Sequence, residues 1–194
     1  MNRIILFRFH NNFNICKNRF EILHKYNPSI PIIGLFGGEE KDLKIVEKNL
    51  SYYLDDIYII KEKSVSWKWK NWDIAVRDWY LKKGKYLEFE VVNIIEWDLL
   101  MFNSFEKLYK TVPKGHLGLT GLILLDKIES KWSWTSKKSN KEEWGNLKRF
   151  VKNKFNYSSK PYACLGPAMS LPRRFLESYS QLEVPELCHD ELRI

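Results

Sequence analysis

The chain is predicted to be an α/β domain with a mostly parallel central sheet flanked by helices. Three observations support this. First, apolar runs at 3–9, 30–36 and 57–60 alternate with stretches of helical periodicity, the order that builds a parallel sheet. Second, the run Glu88–Met101, EFEVVNIIEWDLLM, is β-rich and carries Glu96 and Asp98 to its C-terminal end. Third, 194 residues with 44% hydrophobic content, including 8 Trp, 10 Tyr and 11 Phe, suffice for one domain with a sizeable core. Residues 1–194 are therefore expected to form a single domain. The charged cluster at the end of the chain suggests a piece of a longer parent.

Arg3–Phe9 reads as the first strand and ends in the polar group His10-Asn11-Asn12. Ile15, Arg19, Ile22, Leu23 and Tyr26 then recur at helical spacing until Asn27-Pro28 stops the helix. Ile30–Phe36 is a second strand closed by Gly37-Gly38, Glu40–Leu50 a second helix and Ile57–Ile60 a short strand. Asn71 is placed to cap a helix that runs to about Lys83, with Trp72, Val76, Trp79 and Tyr80 as its apolar stripe and Gly84 as its terminating glycine. After the Glu88–Met101 strand come a brief helix at Phe105–Tyr109 and a β-like segment at Leu119–Leu125. The polar, Trp-containing stretch Asp126–Asn140 is expected to be a surface loop. Glu142–Phe155 reads as a basic amphipathic helix, Tyr162–Leu171 as an apolar segment broken by Gly166-Pro167, and Arg173–Tyr179 as a helix.

A net charge of +8 and a pI near 9.2 favour anionic partners: nucleic acid, lipid head groups or phosphorylated small molecules. Cys16, Cys164 and Cys188 form no CxxC pair, so free thiols in a reducing compartment are expected. The opening MNRIILFRFH is interrupted by Arg3 and Arg8 and does not form a signal h-region, and no apolar run reaches the length of a membrane span. A cytoplasmic location follows as the expectation. GxSxG, HExxH, GxGxxG and P-loop patterns are all absent, which removes the common serine-hydrolase, zincin, dinucleotide and P-loop classes.

The chemistry is expected at the end of the Glu88–Met101 strand. In open α/β sheets, ligands bind beyond the carboxyl ends of the strands. Residues two apart on a strand share a face, so Glu96 and Asp98 are expected to aim at one point. Two carboxylates there call for a cation, and Mg²⁺ or Mn²⁺ suits carboxylate and phosphate oxygens. A second acidic pair, Asp190-Glu191, follows His189. It offers either a general base or the solvated first turn of a helix. Gly37-Gly38 and Gly166-Pro167-Ala168 allow close ligand approach. Trp67, Trp69 and Trp72, interleaved with Lys68 and Lys70, are expected mostly in core and helix-start packing, with at most one exposed ring able to stack on a base or sugar.

In chain order, four segments carry a resemblance: RIILFRFHNN (3–12), NWDIAVRDWYLKKGKYLEFEVVNIIEWDLL (71–100), YACLGPAMSLPRRFLES (162–178) and CHDELRI (188–194). Together they resemble a GT-A-type glycosyltransferase of the nucleotide-diphospho-sugar transferase superfamily. The resemblance implies a Rossmann-like GT-A fold, with Glu96-Trp97-Asp98 as its DXD-like motif. It implies that Asp98 holds the metal and that Glu96 supports the metal or the ribose. His10, Asn11 and Gly166 would lie near the nucleotide sugar, and Arg77 would face the diphosphate. Asp190 or Glu191 would be the base that deprotonates an acceptor hydroxyl.

The implied activity moves a sugar from a nucleotide-diphosphate donor to an acceptor hydroxyl, inverting or retaining, with Mn²⁺ or Mg²⁺ as cofactor. The acceptor would be a saccharide, lipid or protein. Peripheral contact with a membrane is a further expectation, and a stable nucleic-acid complex is not expected. The alternatives are a nucleotidyltransferase, which also uses acids at strand ends, and a non-catalytic nucleic-acid-binding domain suggested by the charge.

Overall fold

The computed structural model describes residues 2–61 and 63–193; Met1, Glu62 and Ile194, the last residue of the acidic C-terminal segment, lie outside it. In chain order the elements are β1 (Arg3–Phe9), α1 (Phe13–Tyr26), β2 (Ile32–Phe36), α2 (Leu43–Leu50), β3 (Asp56–Ile59), α3 (Val65–Lys70), α4 (Trp72–Lys82), β4 (Val91–Glu96), α5 (Phe105–Leu108), β5 (Gly118–Leu124), α6 (Ser133–Ser136), α7 (Lys138–Phe155), β6 (Tyr162–Pro172) and α8 (Arg173–Ser180). The sheet order is β3-β2-β1-β4-β6-β5. β3, β2, β1 and β4 are mutually parallel, while β6 runs antiparallel to both β4 and β5. A mostly parallel sheet flanked by helices is therefore the architecture.

β1 is central and covered on both faces, which explains its continuous apolar run. Ile5, Phe7 and Phe9 pack with Phe20, Leu23, Val46 and Leu50 beneath α1 and α2. Ile4 and Leu6 pack with Val76, Trp79 and Leu176 beneath α4 and α8. Phe7, Phe9 and Phe20 are wholly buried, each contributing about 1.5–3 kcal/mol by area removed from water. The buried stripe of α1 is Cys16, Phe20 and Leu23, so Ile15, expected inward, is 38% exposed.

Several expectations change around α4. A helix the sequence reading missed, α3, precedes it, capped by the Ser64 hydroxyl accepting from Trp67 N at 3.1 Å. Asn71 does not cap α4 through its side chain. Its amide donates to the Trp67 carbonyl (2.9 Å) and closes α3 instead. Gly84 is not in the left-handed region; a Cβ there would meet the Trp79 indole at 2.9 Å, and that contact is what requires glycine.

The Gly166-Pro167 sequence does not break β6. The strand pairs with β5 from Tyr162 to Leu165 and again at Ser170, and with β4 from Met169 onward. Between them Ala168 takes a φ of +59°. That irregularity frees the Gly166 N–H from the ladder. The stretch Asp126–Asn140 is not a plain loop: it contains α6, which places Trp134. The described cysteines are free and buried. No described helix is long and apolar enough to cross a membrane.

Candidate functional site

Register creates the site. Arg8 and Glu96 are Cα partners across the β1–β4 pair, and both follow apolar residues on the α4 face of the sheet. The Arg8 guanidinium is bound to Glu96 Oε1, stacks 4.6 Å from the centroid of Trp72, and reaches Asp190 Oδ2 at 3.5 Å through Nη1. Arg8 is only 4% exposed. The cation between these buried carboxylates is thus an arginine of β1, supplied by the same alternation that put Glu96 there.

Asp98 departs from expectation. β4 ends at Glu96, where β1 also runs out, and Leu99 N donates to the Glu96 carbonyl at 3.1 Å to close a turn. Asp98 therefore sits on an exposed turn rather than two residues along a strand. Its charge still reaches His10, whose basicity is lowered by burial and partly restored by Asp98. His10 meets the Trp97 ring edge-on at 5.7 Å between centroids. Asn11 beside it is exposed. Burial raises the Glu96 carboxyl; Arg8 opposes this, and Asp190, Asp98 and Glu191 add to it.

The C-terminal acids divide in role. Asp190 is fully buried, with Oδ1 2.7 Å from His189 Nδ1 and Oδ2 facing Arg8 without a hydrogen bond. Burial pushes its carboxyl up, but His189, Arg8 and Arg193 together hold it below its ordinary value. A carboxylate so enclosed presents almost no surface to solvent. Glu191 is only partly buried: Oε1 accepts from Gly166 N (3.1 Å) and Oε2 from Trp134 Nε1 (2.7 Å). A Cβ on Gly166 would lie 3.7 Å from Glu191 Oε1 and 3.9 Å from Glu96 Oε1, so glycine keeps open the space between the two carboxylates.

The acidic segment is itself clamped. Arg193 pairs with buried Asp73 on α4 and donates to the Leu187 and Cys188 carbonyls at 2.7 and 2.8 Å. Tyr179 donates to Asp73 at 2.7 Å. Arg77 does not join the site. Expected to face the diphosphate, it lies further along α4 and donates to the Ser180 carbonyl (2.9 Å) at the end of α8.

Sequence reasoning missed Arg8 and Trp134. Arg8 had a signal, a lone charge in a doubly buried strand. Trp134 had only its place in an otherwise polar segment.

Next to this cluster, a cavity of about 610 Å³ opens at the carboxyl ends of β2 and β3, lined by Phe36, Gly38, Leu43, Ile59 and Lys68. A Cβ at Gly38 would strike the His10 carbonyl and the Phe36 ring. The Lys68 ammonium donates to the Gly38 carbonyl at 2.9 Å, and burial lowers its basicity. The volume falls in the ordinary range for small-molecule sites.

Among the described residues, no group of three His, Cys, Asp or Glu side chains is placed to hold a metal ion. Asp98 is a solvent-facing carboxylate, and Glu96 already shares its charge with Arg8. The residues fit an ion whose coordination is completed by donor phosphate oxygens, the mode in which Mg²⁺ often binds, but not one held by protein alone.

No family model matches the sequence, and no curated protein matches it. Among solved structures, a 4-diphosphocytidyl-2C-methyl-D-erythritol synthase from Anaerococcus prevotii is 12% identical over 94% of this chain and 77% of its own, with a TM-score of 0.50. The galactosyltransferase LgtC, in complex with donor and acceptor sugar analogues, is 17% identical over 92% of this chain and 60% of its own, with a TM-score of 0.49. Mouse xyloside xylosyltransferase 1 is 11% identical over 94% and 71%, with a TM-score of 0.42. The chain spans about 60% of the length of the galactosyltransferase it matches. What the first of these shares with the chain is the fold.

Proposed function

We propose that the chain is a glycosyltransferase that moves a sugar from a nucleotide-diphosphate sugar to an acceptor hydroxyl. One observation carries this. Glu96, Gly166 and Glu191, from three distant segments, converge at the carboxyl ends of β1 and β4, and Glu191, partly exposed and not paired with Arg8 as Glu96 is, borders the open space at Gly166. That is where ligands of open α/β sheets bind.

The nucleoside occupies the cavity at the ends of β2 and β3, whose Gly38 lies against the His10 carbonyl. The diphosphate lies toward Asp98. Asp98, with support from Glu96, would hold a Mn²⁺ or Mg²⁺ ion, which would supply charge neutralisation for the departing nucleoside diphosphate. Glu191 accepts the proton as the acceptor oxygen bonds to the anomeric carbon and the bond to the diphosphate oxygen breaks. A single displacement of this kind inverts the anomeric carbon. Arg8, paired with Glu96 and Asp190, keeps the buried charges balanced so that Glu191 stays positioned.

The basic outer face of α7, with exposed Lys148, Arg149, Lys152 and Lys154 near the part-exposed Phe155 and Tyr157, supports peripheral contact with an anionic membrane surface. A second reading, nucleotidyl transfer, is favoured by the diphosphocytidyl-transferring name of the synthase that shares the fold. The two readings separate by substrate. Incubating the chain and Mn²⁺ with UDP-, GDP-, CMP- and dTDP-sugars, and in parallel with nucleoside triphosphates, should consume one sugar nucleotide and release its nucleotide. Release of pyrophosphate from a triphosphate instead would overturn the glycosyltransferase reading.

A further inference from the structure

We propose that Trp69 and Trp134 form a platform that holds a neutral saccharide acceptor beside Glu191. This inference rests on the transferase reading above and names its acceptor class.

Three rings from separate segments meet here. Trp134 of α6 stacks on His189 at 4.0 Å and 8°, and Trp69 of α3 meets Trp134 at 5.4 Å and His189 at 4.9 Å. Trp72, Trp79 and Trp144 are buried, whereas Trp69 is 51% exposed. Leaving half an indole in water forgoes apolar burial that a bound ligand would recover. Trp134 links the platform to the chemistry through its hydrogen bond to Glu191.

Charge selects the ligand. The lysines beside Trp69 are committed elsewhere: Lys68 to the Gly38 carbonyl at 2.9 Å and Lys70 to Glu143 at 2.7 Å. The carboxylate bonded to the platform is Glu191, which accepts from Trp134, so a phosphate-bearing strand would meet a carboxylate there rather than a cation. Base stacking of nucleic acid needs a basic groove alongside the rings. A pyranose instead offers a C–H face to the indole and a rim of hydroxyls to the carboxylate. Both Glu191 oxygens already accept one hydrogen bond, and each retains a second lone pair for such a hydroxyl.

The test uses methyl α- and β-pyranosides of glucose, galactose and mannose against the ¹⁵N-labelled chain, reading the tryptophan indole N–H signals. At least one pyranoside should shift the Trp69 signal, and Trp69→Ala should weaken binding about 3- to 10-fold while Trp69→Phe retains most of it. In transfer assays Trp69→Ala should raise the acceptor KM about 3- to 10-fold, the weight of one aromatic contact, with a smaller change in kcat. Calorimetry with sugar nucleotides on the same wild-type sample separates the two failures. Sugar-nucleotide binding with no pyranoside response, or a response unchanged in Trp69→Ala, overturns the platform alone. A pyranoside response without any sugar-nucleotide binding overturns its acceptor role together with the transferase reading.

Discussion

Arg8 on β1 and Asp190 in the C-terminal segment face each other at 3.5 Å, both almost wholly withdrawn from solvent. They lie 182 positions apart in the numbering, and Glu96 completes the group from the other side of the guanidinium. The contact ties the acidic segment to the sheet and so fixes Glu191, the next residue. Removing one partner of a buried pair leaves the other uncompensated, at a cost of about 3–5 kcal/mol. Asp190→Asn should lower unfolding free energy by that order in urea titrations.

The pH dependence of this contact has a defined sign. The Asp190 carboxyl is held below its ordinary value. It therefore contributes stability that is fully present above its unfolded pKa, about 3.9, and is lost as pH falls through the lower folded value. Wild-type stability should fall on the acid side of about pH 4, and Asp190→Asn should flatten that limb relative to wild type. An equally steep acid limb in the variant would assign the loss to other carboxylates.

Gly166→Ala separates folding from function. The added methyl would meet Glu191 and Glu96 at ordinary contact distances, and Gly166 does not have a positive φ. The variant should keep a melting temperature close to wild type. Transfer should fall about 10- to 100-fold because the methyl occupies the space between the two carboxylates. A fully active variant would show that the reacting groups do not meet there.

Glu191→Gln keeps an oxygen to accept from Gly166 N or Trp134 but cannot take a proton. Turnover should drop about 10²- to 10⁴-fold, the usual weight of a general base. Donor affinity measured by calorimetry should stay within a few-fold. Loss of donor binding together with turnover would instead make Glu191 a donor ligand.

The position of Asp98 relative to His10 can be read directly by NMR. Burial lowers the His10 pKa below that of a free imidazole, and Asp98 opposes that shift. Asp98→Asn should move the His10 midpoint further down. No movement would place the Asp98 turn away from His10.

The sequence disclosed what local patterning determines. β1 was legible to the residue because a strand buried on both faces is a continuous apolar run, and α8 because its pattern is strongly helical. What escaped depends on register and on distant chain. Nothing near Arg8 announces that it sits opposite Glu96, since strand pairing sets that. The period-two argument for Glu96 and Asp98 failed because β1 ends and leaves β4 no partner to extend against. Gly166-Pro167 looked like a break because both residues weaken strands, yet β5 pairs on both sides of it and β4 joins from Met169 onward, which carries β6 through. Trp134 came to the site on a short helix hidden in polar sequence.

Titration calorimetry of the chain with UDP-, GDP-, CMP- and dTDP-sugars, with and without Mn²⁺ and repeated on Asp98→Ala, tests the donor site most directly. The expected result is binding of one nucleotide class that Mn²⁺ strengthens and Asp98→Ala weakens, with little Mn²⁺ bound when no nucleotide is present. Folded protein that binds no sugar nucleotide under either condition would contradict the transferase assignment.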